Sequence, residues 1–315
     1  MTIVIVNATA RLEYFRPIDD EPLDQFQQFA AAALPPLLIV FMAGNLGAIG
    51  LELDVRSVVR PLGDRRFLLL VMVWNWLVCP ALALAIVRLL PIADAYAVGL
   101  LLIGLAPAAP FLPMVVRRAG GDPGHTAAFL LISALGTIAL MPLALPAIAP
   151  SLEVDRWTIA RPLLALLLAP LCLGMALRVL WPAVAATLRK GVKFLADAST
   201  IGLLIAIVTV YFKSFLDAIG SFAIAAHLIF TVGVLAGSWA SARSLPPSQR
   251  SVLSLGVGTR NFGAAFAPLL AGVTDPRTTV MIALGVPITL LLTLAVAGRM
   301  GHRADAAVPE GESKR

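Results

Sequence analysis

The sequence predicts an all-α polytopic membrane protein with about nine transmembrane helices. Three observations carry the prediction. Apolar stretches of roughly 20 residues recur along the whole chain, each long enough to cross a hydrocarbon core of about 30 Å. Only 13% of the 315 residues are charged and the mean hydropathy is +0.91, whereas a soluble domain carries about a quarter charged residues. The apolar runs are continuous and lack the ten-residue alternation of a membrane β-barrel. A soluble helical body of this size would need polar faces that these segments do not supply.

The segments fall at about 29–51, 66–90, 95–117, 125–149, 159–182, 196–215, 219–240, 250–271 and 277–299. Residues 1–28 are polar and rich in Asp and Glu, unlike a signal peptide, which has a basic start and an apolar centre. Residues 29–300 form the membrane domain, and 301–315 read as a polar cytoplasmic tail. Cys79 and Cys172 both fall inside apolar spans, where they read as small hydrophobes with no disulfide or metal pattern around them.

Loop charge sets the orientation. Sixteen Lys and Arg residues follow the odd-numbered spans and seven lie on the opposite side, so the N-terminus is expected outside and the C-terminus in the cytoplasm, across the plasma (inner) membrane. This sidedness accounts for the net charge of +6 through insertion and contact with the lipid bilayer; no nucleic-acid partner is expected. The remaining cation, Arg260, lies inside a span.

Two spans do not read as continuous helices. The third carries Pro107, Pro110 and Pro113, each removing a backbone donor and crowding the preceding turn. The eighth places Thr259, Arg260 and Asn261 among Gly256, Gly258 and Gly263. Interrupted spans in both halves of a membrane protein point to a transporter's binding site, because half-helix ends and freed carbonyls hold ions and polar groups. Kinking of packed helices is the alternative reading of either span alone.

These same residues resemble a family. The stretch from Ala106-Pro107-Ala108-Ala109 through Arg117-Arg118-Ala119-Gly120-Gly121-Asp122 is similar to the first helix break and basic turn of the bile acid/sodium symporter family. Leu255-Gly256-Val257-Gly258-Thr259-Arg260-Asn261-Phe262-Gly263 resembles that family's second break, and Gly50-Leu51-Glu52-Leu53 its Gly-Leu-Thr-Leu. The resemblance implies an inverted repeat with two crossing broken helices, a core domain and a panel domain, in the nine-span form that lacks the first helix. It also implies a sodium-coupled site at the crossing. The departures bear on that site. The family's glutamate is Gly256 here, the following glutamine is Arg260, and a Ser-Asn pair is Leu112-Pro113. One of two hydroxyl ligands survives as Thr126 while the other is Leu130, and an amide ligand is matched by Asn75. No Asp or Glu lies deep in any span, so sodium coupling by the family's route is not expected and no other cofactor or metal is implied.

The candidate substrate- or ion-binding residues are therefore Asn75, Phe111, Pro113, Thr126, Gly256, Val257, Thr259, Arg260 and Asn261. For Arg260 three roles stand open: a tethered cation in place of sodium, a cap on half-helix carbonyls, and a countercharge for an anionic substrate. His227 stands alone in the seventh span without a titratable partner in the sequence pattern. No nucleophile arrangement, HExxH or P-loop appears, so no enzyme is expected. The expected function is secondary transport of a small organic anion by alternating access. The rivals are an efflux permease for another small acid or oxyanion, and a receptor or scaffold that has lost transport.

Overall fold

In lipid a chain must satisfy its backbone groups internally, which favours helices wherever the sequence stays apolar. The computed structural model describes residues 25–53, 60–148, 155–270 and 275–306, and there the chain follows that rule. The helices are α1 (Gln25–Glu52), α2 (Arg65–Leu89), α3 (Asp94–Leu105), α4 (Leu112–Arg118), α5 (Pro123–Ile148) and α6 (Arg156–Leu180). They continue as α7 (Pro182–Asp217), α8 (Ala223–Ser241), α9 (Pro247–Gly258), α10 (Phe262–Phe266) and α11 (Pro276–Ala306). Seven of them, α1, α2, α5, α6, α7, α8 and α11, are long and apolar enough to cross a membrane. The third and eighth apolar segments are each split in two, as α3–α4 and α9–α10. Among the described residues the β pairing amounts to one isolated antiparallel bridge, Pro107 with Arg260.

Two boundaries differ from those the hydropathy pattern predicts. The pattern starts the sixth span at residue 196, with a basic loop before it; instead α7 starts at Pro182 and runs for 36 residues. At 1.5 Å per residue that is about 54 Å, longer than the hydrocarbon core, so its basic first half extends past the apolar layer. Lys193 pairs with Asp197 one turn on, at 2.7 Å, which favours helix over loop there. At the other end α11 continues to Ala306, into the expected tail. The polar N-terminal segment, apart from residues 25–28, lies outside the described residues, as does the tail beyond 306.

Prolines shape the spans locally. α2 and α6 each contain a widened π turn, Trp74–Val78 and Leu164–Leu168. Each is followed two residues later by a proline, Pro80 and Pro170. A proline ring clashes with the carbonyl four residues back, here Trp76 and Leu166, and both fall in the middle of the widened turn, which relieves the clash without breaking the helix. The α2 turn fans three successive side chains onto neighbours. Trp74 Nε1 donates to Ser241 Oγ of α8 at 2.8 Å, Asn75 Nδ2 donates to Ser133 Oγ of α5 at 3.2 Å, and Trp76 lies against Gly136 of α5.

The helices sort into two groups. α1 packs chiefly on α6 and α7, while α2, α3, α5, α8, α9 and α11 pack on one another. Small residues bring α1 and α6 into backbone contact: a Cβ on Gly174 would sit 2.6 Å from Gly47 O and 2.8 Å from Leu51 N. Gly174→Val is expected to force these helices apart, at about 1–3 kcal/mol or more, because backbone rather than a movable side chain is in the way. A thermal melt of the purified protein in detergent checks this; a Tm equal to the parent's would show that the contact is not tight.

Candidate functional site

The two breaks meet. Between α3 and α4 the chain is extended around Pro107, whose ring cannot continue the helix, and Ala108 takes a left-handed φ of 61°. Between α9 and α10 the break spans Thr259, Arg260 and Asn261. Ala108 N donates to Thr259 O at 3.1 Å and Asn261 N donates to Ala106 O at 2.8 Å, so each break satisfies the backbone groups that the other leaves open. A second tie lies at the ends of the same pair: Asp122 N, in the turn after α4, donates to Ser248 O in the first turn of α9 at 3.4 Å. Outside the spans, Asp122 caps α5 by accepting from His125 N at 2.7 Å. Desolvation, which raises its pKa, is outweighed by the hydrogen bonds and charge of His125, and the carboxyl is held below its usual range.

Arg260 occupies the centre of this crossing and is fully buried. Its Nε donates to Ile103 O at 3.0 Å and Nη2 to Gly104 O at 2.6 Å, both carbonyls of the last turn of α3. Nη1 donates to Val257 O at 3.2 Å, in the last turn of α9, and contacts Cys79 Sγ at 3.6 Å. The guanidinium carbon stands 5.8 Å from the ring centre of Phe230. Each half-helix carries about half a negative charge at its C-terminal end, so two such ends together balance one cation without any carboxylate. Among the described residues no ion pair involves Arg260.

The other candidate residues differ in whether they bond at that crossing or elsewhere. Thr259 lends its carbonyl to the bridge, and its Oγ1 donates to Gly256 O at 3.2 Å. Asn261 caps α10, accepting from Ala264 N at 3.0 Å. Val257 supplies a carbonyl to Arg260. Phe111 precedes α4 as its cap, and Pro113 sits in its first turn, where a missing N–H costs nothing. Thr126 is tied back to its own helix, donating to Asp122 O at 2.7 Å. Asn75 is buried, with Nδ2 on Ser133 and no partner for Oδ1 among the described residues. His227, also buried, shares a 3.1 Å contact between Nε2 and Thr289 Oγ1.

Three residues at the site carry no sign of it in the sequence. Cys79, read as a plain hydrophobe, touches the guanidinium. Phe129 covers Gly256: a Cβ there would stand 2.7–2.8 Å from three of its ring carbons. The space that a larger residue at 256 would need is thus filled by an aromatic ring, itself edge-on to Phe67 at 6.5 Å. Met42 of α1 lies over Gly263, beside Asn261 Oδ1. No signal in a single sequence links these pairs, which are far apart along the chain.

Comparison with curated proteins finds no match. The model of the sodium bile acid symporter family matches residues 35–221, from α1 through the first helix break to just past α7. That match covers more than half of the chain and implies a membrane transporter, in keeping with the seven apolar helices described above. The chain belongs to the sodium bile acid symporter family.

Proposed function

We propose that this protein is a secondary transporter that moves a small organic anion by alternating access, without sodium, and that Arg260 is a tethered cation at the helix crossing. The enclosure of Arg260 by carbonyls from the C-terminal ends of both α3 and α9 carries this reading. A bound cation at such a crossing neutralises two helix ends and holds them together. A guanidinium on the chain does the same and cannot dissociate. Because four of its five donors are engaged by the protein, three of them on carbonyls, the geometry favours this role over direct pairing with substrate.

In this reading α1, α6 and α7 are the panel and the remaining helices the core, arranged as the nine-span form of an inverted repeat, with the N-terminus outside and the C-terminus in the cytoplasm. The core moves against the panel, and the substrate binds where Met42 meets the Asn261 region. Gly256 and Phe129 support the loss of the sodium site from a second direction, since hydrocarbon fills the place where a carboxylate would be needed.

The test is uptake of a panel of labelled organic anions into proteoliposomes, with and without an inward sodium gradient. Uptake of at least one anion at the same rate in both conditions is expected. Uptake that collapses when sodium is removed would overturn the tethered-cation reading.

A further inference from the structure

His227 has no part in the crossing as described, yet it is built into the core beside it. The side chain is fully buried in the second turn of α8. Its Nε2 lies 3.1 Å from Thr289 Oγ1 of α11, and its Nδ1 has no hydrogen-bond partner among the described residues. Thr231 is four residues on, on the same face of α8, and its buried Oγ1 is also without a partner there. A helical threonine readily bonds the carbonyl four residues back, which for Thr231 is that of His227, and this one does not. An unfilled ring nitrogen and an unfilled hydroxyl one turn apart leave a place for one hydrogen: the nitrogen can take it and the oxygen can accept from the N–H that results.

The surroundings tie this place to the crossing. Gly285 of α11 lets the backbone approach the ring, since a Cβ there would stand 2.4 Å from His227 Cε1 and 2.7 Å from Phe262 Cε1. The Phe262 ring centre is 6.4 Å from that of the imidazole, and Phe262 directly follows Asn261. Three residues along α8, Phe230 lies 5.8 Å from the guanidinium carbon of Arg260. No carboxylate is placed to balance a charged ring. α8 has no other ionisable side chain and α10 has none. On α2, α3, α9 and α11, which pack on α8, the end turns hold Arg65, Arg66, Arg88, Asp94, Tyr96, Arg250 and Arg277. Between those turns stand Cys79, which contacts Arg260, and Arg299, which is exposed and ten residues beyond Thr289. A proton on His227 would therefore add a second cation to an interior whose helix-end carbonyls already serve Arg260. An anion at Asn261 supplies the missing countercharge, so proton and anion each favour the binding of the other.

We propose that His227 binds the proton that accompanies the anion, which makes transport proton-coupled and, for a monoanion, electroneutral. The proposal rests on the transporter reading above and adds the coupling ion. The proton arrives from water at Nδ1, while Nε2 keeps its N–H on Thr289 Oγ1. The new N–H donates to Thr231 Oγ1. When the anion leaves on the other side, Nδ1 returns the proton to water there and the ring is neutral again. Access on one side is short: Phe222, exposed at the α7–α8 turn, lies five residues before His227, about 7.5 Å along the helix axis.

The test is accumulation of labelled organic carboxylates and sulfonates in proteoliposomes loaded with the pH dye pyranine, with sodium absent, with and without an acid exterior, and with protein-free liposomes subtracted. One proton per monoanion supports at most about 10-fold accumulation per pH unit, so a one-unit inward gradient should raise the accumulation of at least one anion about 3- to 10-fold. The interior should acidify in step, and a protonophore should abolish both effects. His227→Gln should lose the stimulation. Thr231→Val keeps the ring and removes the acceptor for its second N–H, so it should need a more acid exterior for half-maximal uptake; this variant decides the matter if His227→Gln does not fold. Gradient-driven accumulation that survives in His227→Gln, or an unmoved pH profile in Thr231→Val, would overturn the proposal. Parent uptake indifferent to the proton gradient would overturn it while leaving the transporter reading intact. No uptake of any anion under either gradient would remove the transporter reading and this proposal with it.

Discussion

Arg260→Ala is expected to abolish uptake and to lower the melting temperature of the purified protein by about 10 °C or more. The substitution strands the carbonyls of Ile103, Gly104 and Val257 in a dry interior, leaves two helix ends pointing their negative poles at each other, and opens a cavity the size of a large side chain. Removing one member of a buried charged cluster costs about 3–5 kcal/mol, and each stranded acceptor adds to the penalty. Arg260→Lys should recover only part of the loss, since a point charge cannot fork between α3 and α9. Arg260→Gln separates the two roles. If the guanidinium stands in for an ion, this variant acquires a melting temperature that rises with sodium concentration, as any ligand that binds only the folded state would produce. A melting temperature indifferent to sodium, with parent-like uptake, would reduce Arg260 to a dispensable cap.

Gly256→Glu carries the second large effect. It puts back the carboxylate that the family resemblance implies, yet the structure has no room for it, because its Cβ would lie within 2.8 Å of the Phe129 ring. Overpacking of this kind costs about 1–3 kcal/mol, and a buried carboxylate whose neighbouring cation is already engaged costs more. Poor expression or a much lower melting temperature is expected for the single variant. Phe129→Ala should rescue it, with a coupling energy of about 1–3 kcal/mol in the double-mutant cycle. The rescue is informative because Phe129→Ala alone opens a cavity and destabilises, so two harmful changes should be less harmful together. Additive losses would mean that the ring and the glycine do not compete for one space.

The placement of these two residues also shows why a single sequence reads the spans well and the site poorly. Span content depends on local composition: every crossing segment must be apolar for about 20 residues, and the chain displays this in order. Pro107, Pro110 and Pro113, and the glycines around Arg260, announce the breaks because their backbone effects are local. Even so, the start of α7 at Pro182 rather than at 196 is not legible in the hydropathy pattern, because a helix that leaves the apolar layer loses that signal while its hydrogen bonding continues.

What the sequence by itself determined is the all-helical membrane class, the two interrupted segments, and the presence of a lone intramembrane arginine without an acidic partner. Only the tertiary structure decided what holds that arginine. Its partners are backbone carbonyls and a thiol, and a carbonyl belongs to every residue, so no side-chain pattern reveals which ones converge. The same holds for the Phe129 ring that fills the space over Gly256. Contacts between residues far apart along the chain are set by how helices pack, and packing is a property of the folded whole.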